Sequence, residues 1–268
     1  INTAITVGTS SLPVQSFFDS NINSLIKLSD YQASYLDSGE SGIGVGVSYQ
    51  LPNSRLLLGA TAPVKVDTGQ TIGSSKTIVS SLEYGDPSAQ SVTLMAGFSE
   101  EKDNLLGSTG DNAFSLSGAK ATTTFTALKG QKQILDNFSL VGMATLANTN
   151  MSSPNNSFVD SASDVRSSSI ALIANMRNLT DDDHLSLFVN QPNRVDDGSM
   201  AIKIASLADS NRNISQTIKH IDLESSSRQL NYGLSYRKDL NENLAFSVKH
   251  MITNNLNHRQ DSNTLHSS

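Results

Sequence analysis

Residues 230–253 read LNYGLSYRKDLNENLAFSVKHMIT, and the alternation in this stretch decides the fold. Large apolar residues occupy every second position on both sides of a polar link, and small or polar residues stand between them. A period of two places successive side chains on opposite faces of a β-strand. The stretch therefore predicts a β-hairpin with one apolar row, which would face lipid or a core: Leu230, Tyr232, Leu234, Tyr236, Leu244, Phe246 and Val248.

The same alternation recurs along most of the chain. At residues 43–49, large apolar residues alternate with Gly and Ser, and Pro52-Asn53-Ser54 then predicts a turn. Similar segments lie at residues 55–60, 76–84, 90–98, 119–128, 137–148, 167–178, 184–190, 199–207, 217–223, 229–237 and 243–253. This pattern predicts an all-β fold, an antiparallel meander of roughly a dozen strands of ~9 to 11 residues, closed as an outer-membrane-type β-barrel.

The chain divides into two parts by pattern. Residues 1–40 offer spaced apolar positions without a clear period and fit a linker, a plug helix, an irregular segment or an edge strand. Residues 41–268 form the predicted antiparallel β-barrel or β-sheet domain. Its links alternate in length, with tight ones at 52–54, 85–89, 180–183 and 238–242, and longer ones at 63–75, 99–112 and 149–166. Short turns at one rim and long loops at the other are typical of outer-membrane barrels.

Composition narrows the function classes. A formal net charge of −6 and scattered basic residues argue against a nucleic-acid partner. The absence of cysteine excludes disulfides, thiolate ligands and a cysteine nucleophile. No window offers the ~20 consecutive apolar residues of a transmembrane helix, so a membrane-spanning form would have to be a barrel. The absence of Trp and an aromatic content of 6% weigh against the aromatic girdles of membrane barrels.

Candidate catalytic and metal-binding groups do not form a recognisable site. Gly8-Thr9-Ser10 is similar to the region around a subtilisin nucleophile, but the sequence contains no histidine before His184 to act as its base. The acidic runs 181–183 and 196–198 lack the spacing of a calcium loop and indicate polar turns. The later histidines, which lack zinc-site spacing, are predicted to be surface groups: His220, His250, His258 and His266. We therefore expect no enzyme activity, no cofactor and no metal.

The second half of the chain resembles the C-terminal β-barrel (translocator) region of bacterial subtilisin-family autotransporters. The resemblance lies in three stretches: FSLVGMATLANTN at 138–150, the segment 167–205 that includes LFVNQPNRVDDG at 187–198, and LNYGLSYRKDLNENLAFSVKHMITNNLNHRQ at 230–260. It implies an outer-membrane barrel that anchors or exports a covalently linked passenger encoded upstream. Lipid would surround the barrel, and Lys203, Arg237 and Lys249 would face its lumen.

A second interpretation comes from a different class. The chain would be a soluble extracellular structural subunit, such as a surface-layer, adhesive or filament-forming protein, whose strand edges pair with other copies of itself. The missing Trp favours this alternative. So does the chain end TLHSS, because outer-membrane barrels usually end in an aromatic residue. The sequence thus predicts either a missing closing strand or a module that is not inserted as an ordinary barrel.

Overall fold

The computed structural model describes residues 3–8, 42–63, 74–86, 88–106, 112–154, 157–205, 216–241 and 244–267. These residues form thirteen β-strands. Their bounds are β1 Thr3–Gly8, β2 Gly42–Gln50, β3 Ser54–Pro63, β4 Ser74–Asp86, β5 Gln90–Lys102, β6 Lys120–Leu135, β7 Phe138–Met151, β8 Val159–Arg177, β9 Asp183–Ala205, β10 Gln216–Asp222, β11 Leu230–Asn241, β12 Leu244–Asn254 and β13 Thr264–Ser267. Single 3₁₀ turns occur at Asn112–Phe114 and Leu256–His258. Within these ranges no helix is long and apolar enough to cross a membrane.

The strands form one antiparallel sheet that follows chain order. Each strand from β1 to β9 pairs with the next, β9 pairs with both β10 and β11, and β11, β12 and β13 continue the sheet. The prediction of an all-β antiparallel meander is therefore confirmed. The described ladders run from β1 to β13, and closure of this sheet into a barrel stays a prediction.

The connections separate by length into two ends of the sheet. Short links of two to five residues join β2 to β3, β4 to β5, β6 to β7, β8 to β9 and β11 to β12. The links from β5 to β6 and from β12 to β13 are longer and lie at the opposite end. Throughout, we call these the short-link end and the long-link end. The position of a residue along its strand can therefore be given relative to these two ends.

Two predicted strands are one in the structure. The predicted segment 184–190 and the described part, 199–205, of the predicted segment 199–207 both belong to β9, although the sequence predicts an acidic turn between them. The chain can continue as one strand because bulges in its pairing with β8 take up extra residues. Ile170 pairs with Gln191, but Ser168 pairs with Arg194, so the stretch that contains Pro192 has one residue more than β8. Proline is tolerated in sheets at such bulges because no ladder hydrogen bond is required of it there.

The N-terminal part is described only in its first strand. Residues Thr3–Gly8 pair with β2, from Thr3 opposite Tyr49 to Gly8 opposite Gly44. The rest of the predicted N-terminal segment and the Ser10 motif lie outside the described residues, and the boundary near residue 40 stays a prediction.

Two apolar clusters lie on one face of the sheet, which we call the inner face. The larger one extends from Leu57 on β3 to Phe188 on β9 and includes Met95, Phe125 and Ile173. The smaller one lies at the long-link end, where Leu116 and Ala119 pack against Met151, Val159 and Val165. These clusters define which side of each strand is covered.

Candidate functional site

The central feature of the structure is an inverted distribution of polar and apolar residues. On β5, Val92, Leu94 and Phe98 are 47%, 58% and 40% exposed. The residues of the other face, Ser91 and Thr93, are only 2% and 5% exposed. A water-soluble sheet places its apolar row inside and its polar row outside. In β5 the apolar row is the one that faces outward.

The exposed apolar row of β5 continues across neighbouring strands. In register with Leu94 lie Leu56, Leu82 and Leu128, so four leucines form one line across β3 to β6 on the outer face. The outer face also carries other exposed large hydrophobic residues, on β4 and on strands beyond β6: Ile78, Leu146, Ile170, Leu172, Leu187 and Ile252. We call this surface the outer apolar band. Such a large apolar surface marks contact with a partner or a membrane.

Charged residues bound the outer apolar band. At the long-link end, Lys120 Nζ lies 2.8 Å from Glu100 Oε2, and Lys76 is paired with Glu100 in the ladder. At the short-link end of β6, Lys132 is exposed and paired with Gln90. Lys120 and Lys132 are separated by ~40 Å along the strand. If the strand is tilted by ~40° from the barrel axis, their separation along that axis is ~30 Å. That separation matches the hydrocarbon core of a bilayer.

The inner face carries buried charges at one level. One line of cross-strand partners crosses β3 to β6 at this level and consists of Arg55, Glu83, Thr93 and Lys129. Arg55 Nη2 lies 3.0 Å from Glu83 Oε2, and the Glu83 side chain is 5% exposed. Ser91 Oγ donates to Glu83 Oε1 over 3.5 Å. Charges removed from water are stable only when they are paired or hydrogen-bonded, as the Glu83 carboxylate is here.

The inner face is filled rather than open along the central strands. Large apolar side chains on the inner face of these strands are all 4% exposed or less: Val79, Met95, Phe125, Val141 and Ile173. Near the long-link end, Glu101 is 3% exposed and accepts a hydrogen bond of 2.8 Å from the backbone N–H of Leu106. The described part of the inner face therefore combines polar groups with dense apolar packing.

The predicted apolar row and its polar counterpart lie on opposite faces of β11 and β12. Tyr236 pairs with Val248 and Lys238 with Phe246, whereas Ser235 pairs with Lys249 and Arg237 with Ser247. Tyr232, Leu244, Phe246 and Val248 are exposed, and Leu230, Leu234 and Tyr236 are half-buried. Lys203 lies near the end of β9, where its Nζ is 2.8 Å from Asp160 Oδ1. Assignment of these rows to lipid and to a lumen stays a prediction.

A buried arginine occupies the place where the sheet changes partner. Asn190 of β9 pairs with Asn231 of β11, and Ser199 pairs with Asp222 of β10, so the stretch of β9 between them faces the connector 223–229. Arg194 lies in this stretch and is 9% exposed. Its guanidinium donates to the carbonyl oxygens of Ser225 at 2.9 Å and Ser227 at 3.2 Å and contacts Asp196 and Glu224. Together with the backbone hydrogen bonds from Leu223 to Gly198 and from Ser225 to Val195, Arg194 therefore ties the connector to β9.

Two predictions about polar residues need correction. Asp183, predicted as part of a soluble acidic turn, is 1% exposed and accepts hydrogen bonds from the backbone N–H groups of Leu179 and Thr180 and from the Tyr236 hydroxyl. It is buried because it closes the β8–β9 turn. His258, predicted as a surface group, is half-buried because both ring nitrogens have backbone partners. Among the described side chains, no group of three or more His, Asp or Glu is placed to hold a metal ion.

No protein-family model matches the chain, and no curated protein matches it. Among solved structures, the chain is similar to the toluene transporter TodX of Pseudomonas putida, at 13% sequence identity and a TM-score of 0.44. The match covers 95% of this chain and 73% of TodX.

Proposed function

We propose that the chain is the membrane-embedded β-barrel of a bacterial outer-membrane protein, with lipid around the outer apolar band and polar groups inside. One observation carries the proposal. The apolar row of β5 is exposed while its polar row is buried, as Leu94 at 58% and Thr93 at 5% illustrate. A sheet can leave an apolar row exposed without loss when the surrounding medium is hydrocarbon.

The inner face supports an anchoring role within this proposal. Its central side chains are packed, from Val79 at 1% to Phe125 at 4% exposure, so the described interior resembles a filled barrel more than a wide aqueous channel. We propose that the barrel holds a passenger at the cell surface, as the autotransporter resemblance implies, and that it has no catalytic role of its own. Export of that passenger would require part of the interior to open.

The soluble structural subunit is the weaker alternative. A soluble protein rarely exposes a contiguous apolar patch of more than a few hundred Å². In a soluble subunit, other copies would have to cover the outer face of the sheet, where leucines lie in register on four adjacent strands. The structural-subunit hypothesis instead joins the copies through their strand edges, which would leave these leucines exposed.

A charge placed on the outer apolar band tests the proposal. Leu128→Arg puts a cation in the middle of the band, on a residue that is 54% exposed. If lipid covers this site, the change should lower the free energy of unfolding in lipid bilayers by ~2 to 4 kcal/mol. If water covers it, an exposed leucine can be replaced with a change within ~0.5 kcal/mol. Urea unfolding in liposomes, followed by heat-modifiable gel mobility, measures the difference.

The same strand provides a matched control. Thr122 lies on the same face of β6 and pairs with Glu100 at the charged rim. Thr122→Arg should change the free energy of unfolding by no more than ~1 kcal/mol, the cost expected near a bilayer interface. Equal and small effects of both substitutions, together with a detergent-free monomer, would reject the membrane barrel.

A further inference from the structure

The loop between β12 and β13 is fastened to the connector 223–229. The backbone N–H of Ser227 donates to the carbonyl of His258 at 3.1 Å, and Asn255 Nδ2 donates to the carbonyl of Arg228 at 3.1 Å. The backbone N–H of Asn257 donates to Gln229 Oε1 at 2.8 Å. Because β10 and β11 are interrupted at this connector, the loop covers the break in the sheet.

The ring of His258 lies at the centre of these contacts. The backbone N–H of Gln229 lies 3.0 Å from Nδ1, and the carbonyl oxygen of Asn193 lies 3.0 Å from Nε2. A backbone N–H can only donate, so Nδ1 is the unprotonated nitrogen and Nε2 donates to Asn193. The neutral ring thereby bridges β9 and the connector, and this bridge requires one particular tautomer.

We propose that His258 is an acid-sensitive latch: the neutral ring holds the loop 255–263 on the break between β10 and β11, and protonation releases it. The added proton would sit on Nδ1 and point at the N–H of Gln229, which replaces a hydrogen bond with two opposed donors. Within the loop, the N–H of Leu256 donates to the Ser262 carbonyl and the N–H of Asp261 donates to Asn255 Oδ1, while Asn255, Asn257, His258 and Asp261 adopt left-handed backbone angles, with φ between 54° and 61°.

The surroundings of the ring determine the direction of the switch. Burial lowers the pKa of His258, and the Arg194 guanidinium lowers it further, while backbone hydrogen bonds to Asn193 and Ser227 and the Asp196 carboxylate oppose them. The other charged residues on the adjoining elements are Asp197 on β9, Glu224 and Arg228 on the connector, and Arg259 and Asp261 on the loop itself. The pKa of His258 in the closed state is below its ordinary value of 6.5.

The lowered pKa fixes how opening depends on pH. Above pH 6.5 the ring is neutral in both the open and the closed state, and the full stability of the closed state is present. As the pH falls below that value, the open state takes up the proton first and the equilibrium moves toward it. The opening constant should rise by up to ~10-fold for each pH unit until the closed-state pKa is reached.

Amide hydrogen exchange of the full chain, folded in detergent or lipid, tests the latch. We expect the protection of the Ser227 and Gln229 amides to fall between pH 7.5 and pH 5, by up to ~10-fold for each pH unit below 6.5, after correction for intrinsic exchange. In His258→Gln this pH dependence should vanish, because glutamine can donate and accept but does not titrate. His220→Gln is the matched control, since His220 is exposed on β10 and should leave the dependence unchanged.

Two results would overturn the latch. One is unchanged protection of both amides in the unmodified chain across this pH range, and the other is the same pH dependence in His258→Gln. Titration of the His258 ring by NMR in the unmodified chain keeps the test decisive if the variant does not fold, because a pKa at or above 6.5 would contradict it. None of these outcomes depends on whether the outer apolar band contacts lipid.

Discussion

Phe125 lies directly over Gly97 on the neighbouring strand. The two residues are cross-strand partners on β6 and β5, and a methyl group added at Gly97 would lie 2.7 Å from Cε1 of the Phe125 ring. The ring covers the backbone at Gly97, which has no side chain of its own. The same relationship recurs between Phe188 on β9 and Gly233 on β11. Glycine at these two positions allows an aromatic ring to fill the interior.

Gly97→Ala should therefore destabilise the protein. The added methyl group must displace a ring that is 4% exposed, and overpacking of a dense core costs ~1 to 3 kcal/mol. Urea unfolding followed by far-UV circular dichroism would measure the loss. In a Phe125→Ala background the same glycine substitution should cost less than ~0.5 kcal/mol, and an equal cost in both backgrounds would contradict the packing explanation.

Removal of one charge from the inner face should be more harmful than removal of both. Arg55→Met leaves the Glu83 carboxylate, whose side chain is 5% exposed, without its partner, and loss of one member of a buried ion pair costs ~3 kcal/mol or more. Replacement of both residues, by Arg55→Met and Glu83→Leu, should recover most of this loss. Equilibrium unfolding of the two single variants and the double variant gives the coupling energy, and additive effects would show that the pair is energetically independent.

Asp183 should stabilise the β8–β9 turn. Asp183→Ala leaves the N–H groups of Leu179 and Thr180 without their acceptor, at an expected cost of ~1 to 3 kcal/mol in the free energy of unfolding. Tyr236→Phe is the matched control, since it removes only the hydroxyl that donates to Asp183 and should cost ~1 kcal/mol or less. A larger loss from the tyrosine substitution would mean that the turn is not the principal role of Asp183.

Arg194 should hold the connector 223–229 in place. Arg194→Met retains the length of the side chain but removes the donors to the carbonyls of Ser225 and Ser227. We expect faster hydrogen exchange and earlier protease cleavage within the connector, with little change at the short-link end. Arg237→Met tests an arginine that is exposed and pairs only with Asp239 among the described residues. Identical cleavage patterns in the two variants would argue against a specific role for Arg194.

The strand pattern could be predicted because a period of two is local. Tyr232 and Val248 reveal their common face by spacing alone, and the tight turns follow from Gly, Pro and Asn. The prediction ended this strand at Leu128, whereas β6 continues to Leu135. Lys129 is buried on the inner face, where a polar side chain does not end a strand.

The long-range contacts could not be predicted in the same way. The acidic residues 196–198 suggested a turn, and only the opposing strand β8 shows that this stretch belongs to one bulged strand. Arg194 and His258 are separated by 64 positions, and nothing in their local sequence indicates that both meet the same connector. Such contacts depend on the register of the whole sheet.

The hairpin of β9 and β10 continues beyond the break. The part of β9 that pairs with β10, from Ser199 to Ala205, extends ~20 Å along the strand beyond the connector 223–229. All seven side chains of β10 are exposed. If the barrel is oriented with its long-link end outward, this projection would be within reach of an antibody, a phage or a neighbouring cell. Labelling of intact cells at β10 would then report the orientation of the whole protein in its membrane.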